Sequence, residues 1–126
     1  MMPRLTINDI TDESVKPVVT DADLLAADEY LADLAASMDY TLVDVPDPLP
    51  YKVKRLLIAF VCREVCARKA GGAIGMAFKG QDAGDKWSAK LPYFAGLVRD
   101  LEAQITPEVL TGHRTATAGT IEIGRA

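Results

Sequence analysis

The order of apolar and polar residues divides the chain into three helical stretches separated by breakers. From Thr20 onward, Leu24, Ala27, Leu31, Leu34, Ala35 and Met38 recur at intervals of mostly three and four, the period of one helix face. Asp28, Glu29 and Asp33 lie between them and read as a solvated face. Thr20 followed by Asp23 is a capping-box pattern, and Asp21 and Asp23 suit the positive end of a helix dipole. A helix over about 21–38 is predicted. Pro46, Pro48 and Pro50 forbid its continuation. Asp47 then reads as an N-cap with Pro48 at the first helical position. Val53, Leu56, Leu57, Phe60, Val61 and Val65 form the next stripe, widened by Ile58, Ala59 and Cys62. This second helix, about 49–70, is expected at the centre of the fold, touched on more than one side. Arg68 and Lys69 suit its negative end, and Gly71 and Gly72 read as its stop. The third stripe is Trp87, Leu91, Phe94, Val98, Leu101 and Ile105. It predicts a helix over about 85–104, which Pro92 should kink or split near Lys90–Leu91. Thr106-Pro107 opens a single turn, 107–111, closed by Gly112.

The remaining segments lack this period. Residues 1–19 contain Pro3 and Pro17 and read as an extended arm with a short turn at Thr11–Val15. Residues 71–84 contain five glycines and read as a flexible loop, with Ile74, Met76 and Phe78 as apolar contact points. The tail, 113–126, has no core-forming pattern. Thr117, Ile121 and Ile123 suit an extended strand, and Ile121-Glu122-Ile123 alternates. With no internal partner, such a strand suits addition to a neighbour's sheet. A disordered terminus fits its composition equally well. The expected fold is therefore mainly α: a small bundle of three main helices plus short helical turns. The arm is 1–19, the bundle domain 20–112, and the β-prone tail 113–126.

Charge changes this picture more than composition does. Residues 1–50 hold eleven Asp/Glu against two Lys/Arg, a balance of −9; residues 51–126 hold seven against twelve, a balance of +5, giving the net −4. Such a split suits attraction between helices of one domain, or an acidic face meeting a neighbour's basic face. Asp28, Glu29 and Asp33 on the first helix, and Lys54, Arg55 and Arg63 on the second, are the candidate inter-subunit residues. Overall acidity argues against a dedicated nucleic-acid binder. No stretch of eighteen residues is free of charge, so no membrane span is expected. Nothing at the N-terminus has the form of a signal peptide, so a reducing, intracellular setting is expected.

Chemistry-bearing residues are sparse. Cys62 and Cys66, four apart on one helix face, read as small core residues. His113 is the single imidazole, so a closed zinc site would need carboxylates as well. The GGAIG stretch lacks the Lys-Ser/Thr end of a phosphate loop and follows a helix instead of a strand. The reading is of a non-catalytic protein with no cofactor and no metal.

The order of parts is similar to a known family. An acidic first helix (DADLLAADEYLADLAASM) leads through a Pro-rich connector (VPDPLP) to a second helix, PYKVK continuing as RLLIAFVCREVCARKAG. A loop, a Lys-Trp-containing helix and a tail ending Gly-Arg-Ala follow. This arrangement resembles the head–tail adaptor (connector) proteins of tailed double-stranded DNA bacteriophages, over roughly residues 20–126. The resemblance lies in helix order, length and connector style, with no single diagnostic motif. It implies a virion protein in a homo-oligomeric ring, typically of about twelve copies. The ring would be docked between the portal protein and the next neck or tail protein, with DNA passing through its centre. Carried onto this chain, Thr117, Thr120, Ile121, Glu122, Ile123 and Arg125 would contact the portal or a neighbour. Ile74, Met76 and Phe78 would meet a second partner or the channel. The alternative is a small helical regulatory module that binds nucleic acid or a host factor.

Overall fold

The computed structural model describes residues 4–75 and 81–112, with side chains for 4–70 and 86–112. Four α-helices organise it: α1, Asp21–Ser37; α2, Tyr51–Gly75; α3, Gln81–Ala103; and α4, Pro107–Thr111. Three short 3-10 turns, Ile7–Asp9, Lys16–Val18 and Leu42–Asp44, complete it, and there is no strand among the described residues. The chain is a mainly helical bundle, as its apolar period predicts.

The long helices α2 and α3 lie side by side along much of their length, and α1 crosses onto α2. The stripe Val53, Leu56, Leu57, Phe60, Val61 and Val65 is buried as predicted, with Ala59, Cys62 and Cys66 beside it. Leu24, Ala27, Leu31, Leu34 and Ala35 enter from α1. Trp87, Phe94, Val98 and Leu101 enter from α3, with Ile105 following. Burial on two flanks is what a helix apolar over more than half its circumference requires.

Residues 4–19 correct the expectation of an extended arm. Leu5, Ile10 and Val15 are at most 1% exposed and Val19 is 9% exposed, all within the same core as the helices. The predicted turn is present at 13–15. Their spacing of five, five and four residues matches neither helix nor strand period. Each apolar residue is delivered inward by a separate turn. Two of these turns use local hydrogen bonding: the Asp9 carboxylate accepts the Thr6 N–H at 2.8 Å, and Asp12 accepts from the N–H of Ser14 at 2.8 Å and Val15 at 3.0 Å.

The ends of α1 fall where the sequence places them. Thr20 Oγ1 accepts the Asp23 N–H at 3.3 Å, and the Asp23 carboxylate accepts the Thr20 N–H at 2.8 Å, a capping box. The start of α2 corrects the Asp47–Pro48 cap. The Lys54 N–H donates to the Pro50 carbonyl at 2.9 Å, so the helix begins at Tyr51. Leu49 precedes Pro50, and a residue before proline is pushed out of the helical region. The Gly71–Gly72 stop is also corrected: α2 runs through both to Gly75, and α3 begins at Gln81, ahead of Asp85. The flexible loop 71–84 thus shrinks from both ends. Glycine in a helix costs only about 1 kcal/mol relative to alanine, which side-by-side packing of two long helices offsets. The helix α3 is unbroken across Pro92. Pro92 and Ser88 are both exposed, so water can take the Ser88 carbonyl that the missing N–H leaves open. The turn at α4 is as predicted: Thr106 caps it and Gly112 closes it at φ +73°.

Candidate assembly surface

Much of the charge asymmetry is consumed inside the molecule. Asp9 pairs with Lys54 and Asp12 with Lys90, each at 3.0 Å. Asp23 pairs with Arg68, whose guanidinium also donates to the Val18 carbonyl. The acidic N-terminal half therefore closes onto basic positions of α2 and α3 within one chain. Burial raises each of these three carboxyls, but the donors outweigh it. The bonds from Lys90, Val15 and Ser14 hold Asp12 below the usual carboxylate range. Those from Arg68 and Thr20 do the same for Asp23, and those from Thr6 and Lys54 for Asp9.

The candidate inter-subunit residues divide accordingly. Asp28 is corrected: it is 6% exposed, its Oδ1 accepts the Arg4 N–H at 3.2 Å, and it is not part of a solvated face. Arg4 donates onward to the Leu42 carbonyl, which ties the first described residue to the 3-10 turn Leu42–Asp44. The Arg4 Nε and Asp28 Oδ2 atoms are buried without partners. Lys54 is held by Asp9, and Arg63 by Glu64 at 3.3 Å. Arg63 also lies 5.0 Å over the Phe60 ring, whose other neighbour is Tyr30, stacked at 4.4 Å. Burial, then the nearby Glu102 carboxylate, raises the Tyr30 hydroxyl above its ordinary value. Glu29, Asp33 and Arg55 remain exposed and without an ion-pair partner among the described residues.

An open groove of about 490 Å³ lies between α2 and α3, a feature the sequence reading missed. Ile58, Ala59 and Cys62 line it from α2, and Phe94, Leu97 and Leu101 from α3. Tyr51, Arg55 and Tyr93 stand at its rim, and Thr11 and Asp12 touch it from the N-terminal segment. Tyr51 is 73% and Tyr93 66% exposed, unusual for such large side chains. Their distance from the apolar stripe was the available signal, since neither belongs to the core period. Arg55 sits 5.6 Å over the Tyr51 ring.

The thiols of Cys62 and Cys66 are free and buried. Burial, with the Asp12 carboxylate adding to it, pushes Cys62 up to about 12, far from a reactive thiolate. Among the described residues no three His, Cys, Asp or Glu side chains stand close enough to share a metal ion. No described helix is long and apolar enough to cross a membrane. Ile74 lies in the last turn of α2, where only backbone is described. Met76, Phe78, His113 and the tail residues Thr117, Thr120, Ile121, Glu122, Ile123 and Arg125 lie outside the described residues. No protein-family model, curated protein or solved structure matches this chain.

Proposed function

We propose that this protein is a structural, non-catalytic head–tail adaptor of a tailed double-stranded DNA bacteriophage. In this reading, copies of it form a ring in the neck of the virion. The portal protein is docked on one side and the next neck or tail protein on the other, and DNA passes through the centre without sequence-specific contact. The observation that carries the reading is the order of parts: an acidic first helix, a Pro-rich connector, a long central helix paired with a third, and a segment continuing past Gly112. With Leu5, Ile10, Val15 and Val19 packed into the core, this reading leaves the tail and the connection between α2 and α3 to meet the portal and the next neck protein.

The inter-subunit contact in this reading is Glu29 and Asp33 of one copy against Arg55 of the next. Sedimentation or native mass measurement of necks released from purified particles tests it. A ring is the expected result, and a strictly monomeric protein within the particle overturns the proposal. Deleting residues 121–126 should leave folding intact and block assembly. Filter binding to DNA at two salt concentrations separates the alternative module. Its phosphate-driven affinity would fall steeply with salt, whereas the adaptor retains no DNA at either.

A further inference from the structure

We propose that the α2–α3 groove is the seat of this chain's own C-terminal segment, Thr120–Ile123, before any partner takes that segment. The inference does not rest on the ring. Its basis is the groove's chemistry, its position and the length of chain beyond Gly112.

The position comes from α4. A Cβ placed on Gly112 would meet Pro46 Cγ at 2.8 Å and Pro50 Cγ at 3.8 Å. The chain therefore leaves α4 beside the residue that precedes Tyr51, at one end of the groove. From Tyr51 to Cys62 is eleven helical steps, or about 16 Å. Nine residue steps lead from Gly112 to Ile121, enough to span about 30 Å when extended. The segment reaches every part of the groove with slack. So short a tether gives it an effective concentration in the millimolar range, which a free partner seldom matches.

The chemistry fits on both sides of the segment. In an extended backbone Ile121 and Ile123 share one side and Glu122 takes the other. The two isoleucines match the floor of Ile58, Cys62, Phe94 and Leu97. Glu122, turned outward, matches Arg55 at the rim. That guanidinium stacks on Tyr51 and has no carboxylate among the described residues. The groove's other nearby acid, Asp12, is already held by Lys90. A cationic segment would thus find no free carboxylate at this site, whereas an apolar–acidic–apolar one finds each partner it needs.

Methyl NMR on the full chain, with isoleucine labelling, tests this. Contacts from the Ile121 and Ile123 methyls to Phe94 and Leu97, unchanged on dilution, are the expected result. Random-coil positions for both methyls overturn the proposal. Contacts seen only between differently labelled chains also overturn it, by making a second copy the occupant. Arg55→Glu should raise the amide exchange of residues 121–123 about 1.4-fold to fivefold, the scale of one exposed ion pair. Adding Glu122→Arg should return it toward the original rate. Unchanged exchange in Arg55→Glu, with an unaltered helical spectrum, overturns the pairing of Glu122 with Arg55.

Discussion

Replacing Ile10 with alanine tests whether the N-terminal segment is core or arm. Ile10 is fully buried, although it lies in a stretch without helical period. The substitution removes three buried carbons, worth about 2.4 kcal/mol at 0.8 kcal/mol for each. The cavity left behind adds to this, and comparable truncations cost about 2–5 kcal/mol in total. Against a typical total stability of about 5–15 kcal/mol, that is a large fraction. With a urea slope of about 1–3 kcal/mol per molar, a loss near 3 kcal/mol lowers the midpoint by about 1–3 M. Equilibrium unfolding should be followed both by far-UV circular dichroism and by the fluorescence of Trp87, which lies in the core on α3. The two transitions should shift together with unchanged slope. Val43→Ala, at a residue 91% exposed, is the control and should stay within about 0.5 kcal/mol of the original protein. A loss for Ile10→Ala no larger than that control refutes the placement of the segment in the core. A Trp87 transition left in place while the dichroism acquires a second, earlier step would make the segment a separate unit.

The other expectations are narrower. Asp9, Asp12 and Asp23 titrate below their unfolded value of 3.8, so their stabilisation is present above that pH and is lost as pH falls through the folded values. Asp12→Asn should therefore lower the melting temperature at pH 7, with the difference from the original protein shrinking below pH 3.8. Gly112→Ala should destabilise by more than about 1 kcal/mol, because φ is +73° and the new Cβ meets Pro46 at 2.8 Å. Thermal unfolding checks this, and adding Pro46→Ala should recover only the steric part. Both cysteines should resist a thiol reagent at pH 8 in the native protein and react fully in urea, since burial raises both thiols. Rapid labelling of the native chain would contradict their burial.

The helices were legible because period and caps agree. Thr20 with Asp23, and Thr106 with Pro107, each mark a helix start that the structure keeps. The same Thr-x-x-Asp signal also occurs at Thr6–Asp9 and Thr41–Asp44. In both, the carboxylate accepts the threonine N–H at 2.8 Å around a short turn. Those turns carry no apolar period, so the signal alone does not mark a helix start there, nor does it reveal the inward Leu5 and Ile10. The Gly71–Gly72 stop failed for a different reason. Glycine propensity is a local penalty of about 1 kcal/mol, and the pairing of α2 with α3 is a tertiary gain that no local window contains. Asp28 failed similarly: its place on the helix wheel is set by sequence, but its burial is set by Arg4, twenty-four residues away. The groove was illegible because it is a property of two helices at once, visible only when Tyr51 and Tyr93 are seen on its rim.

Arg55 is where the two proposals meet, and their overlap makes a prediction that neither makes alone. Lys54 and Arg63 are engaged by Asp9 and Glu64, which leaves Arg55 as the exposed cation of the candidate interface without an ion pair among the described residues. A neighbour's Glu29 or Asp33 and the chain's own Glu122 would then compete for one guanidinium. One exposed ion pair is worth about 0.2–1 kcal/mol, equivalent to about a 1.4-fold to fivefold change in an equilibrium. Glu122→Gln keeps the shape of the segment and removes only its charge. It should raise amide exchange at residues 121–123 and lower the concentration at which copies associate, each by that small factor. Analytical ultracentrifugation of the full chain at low salt reads the second effect, and it should fade as salt rises because the contact is exposed. Faster exchange with unchanged association would leave the seated segment standing and remove Arg55 from the interface. Tighter association with unchanged exchange would do the reverse. The paired measurement thus assigns this one guanidinium to the tail, to the neighbour, or to both in turn.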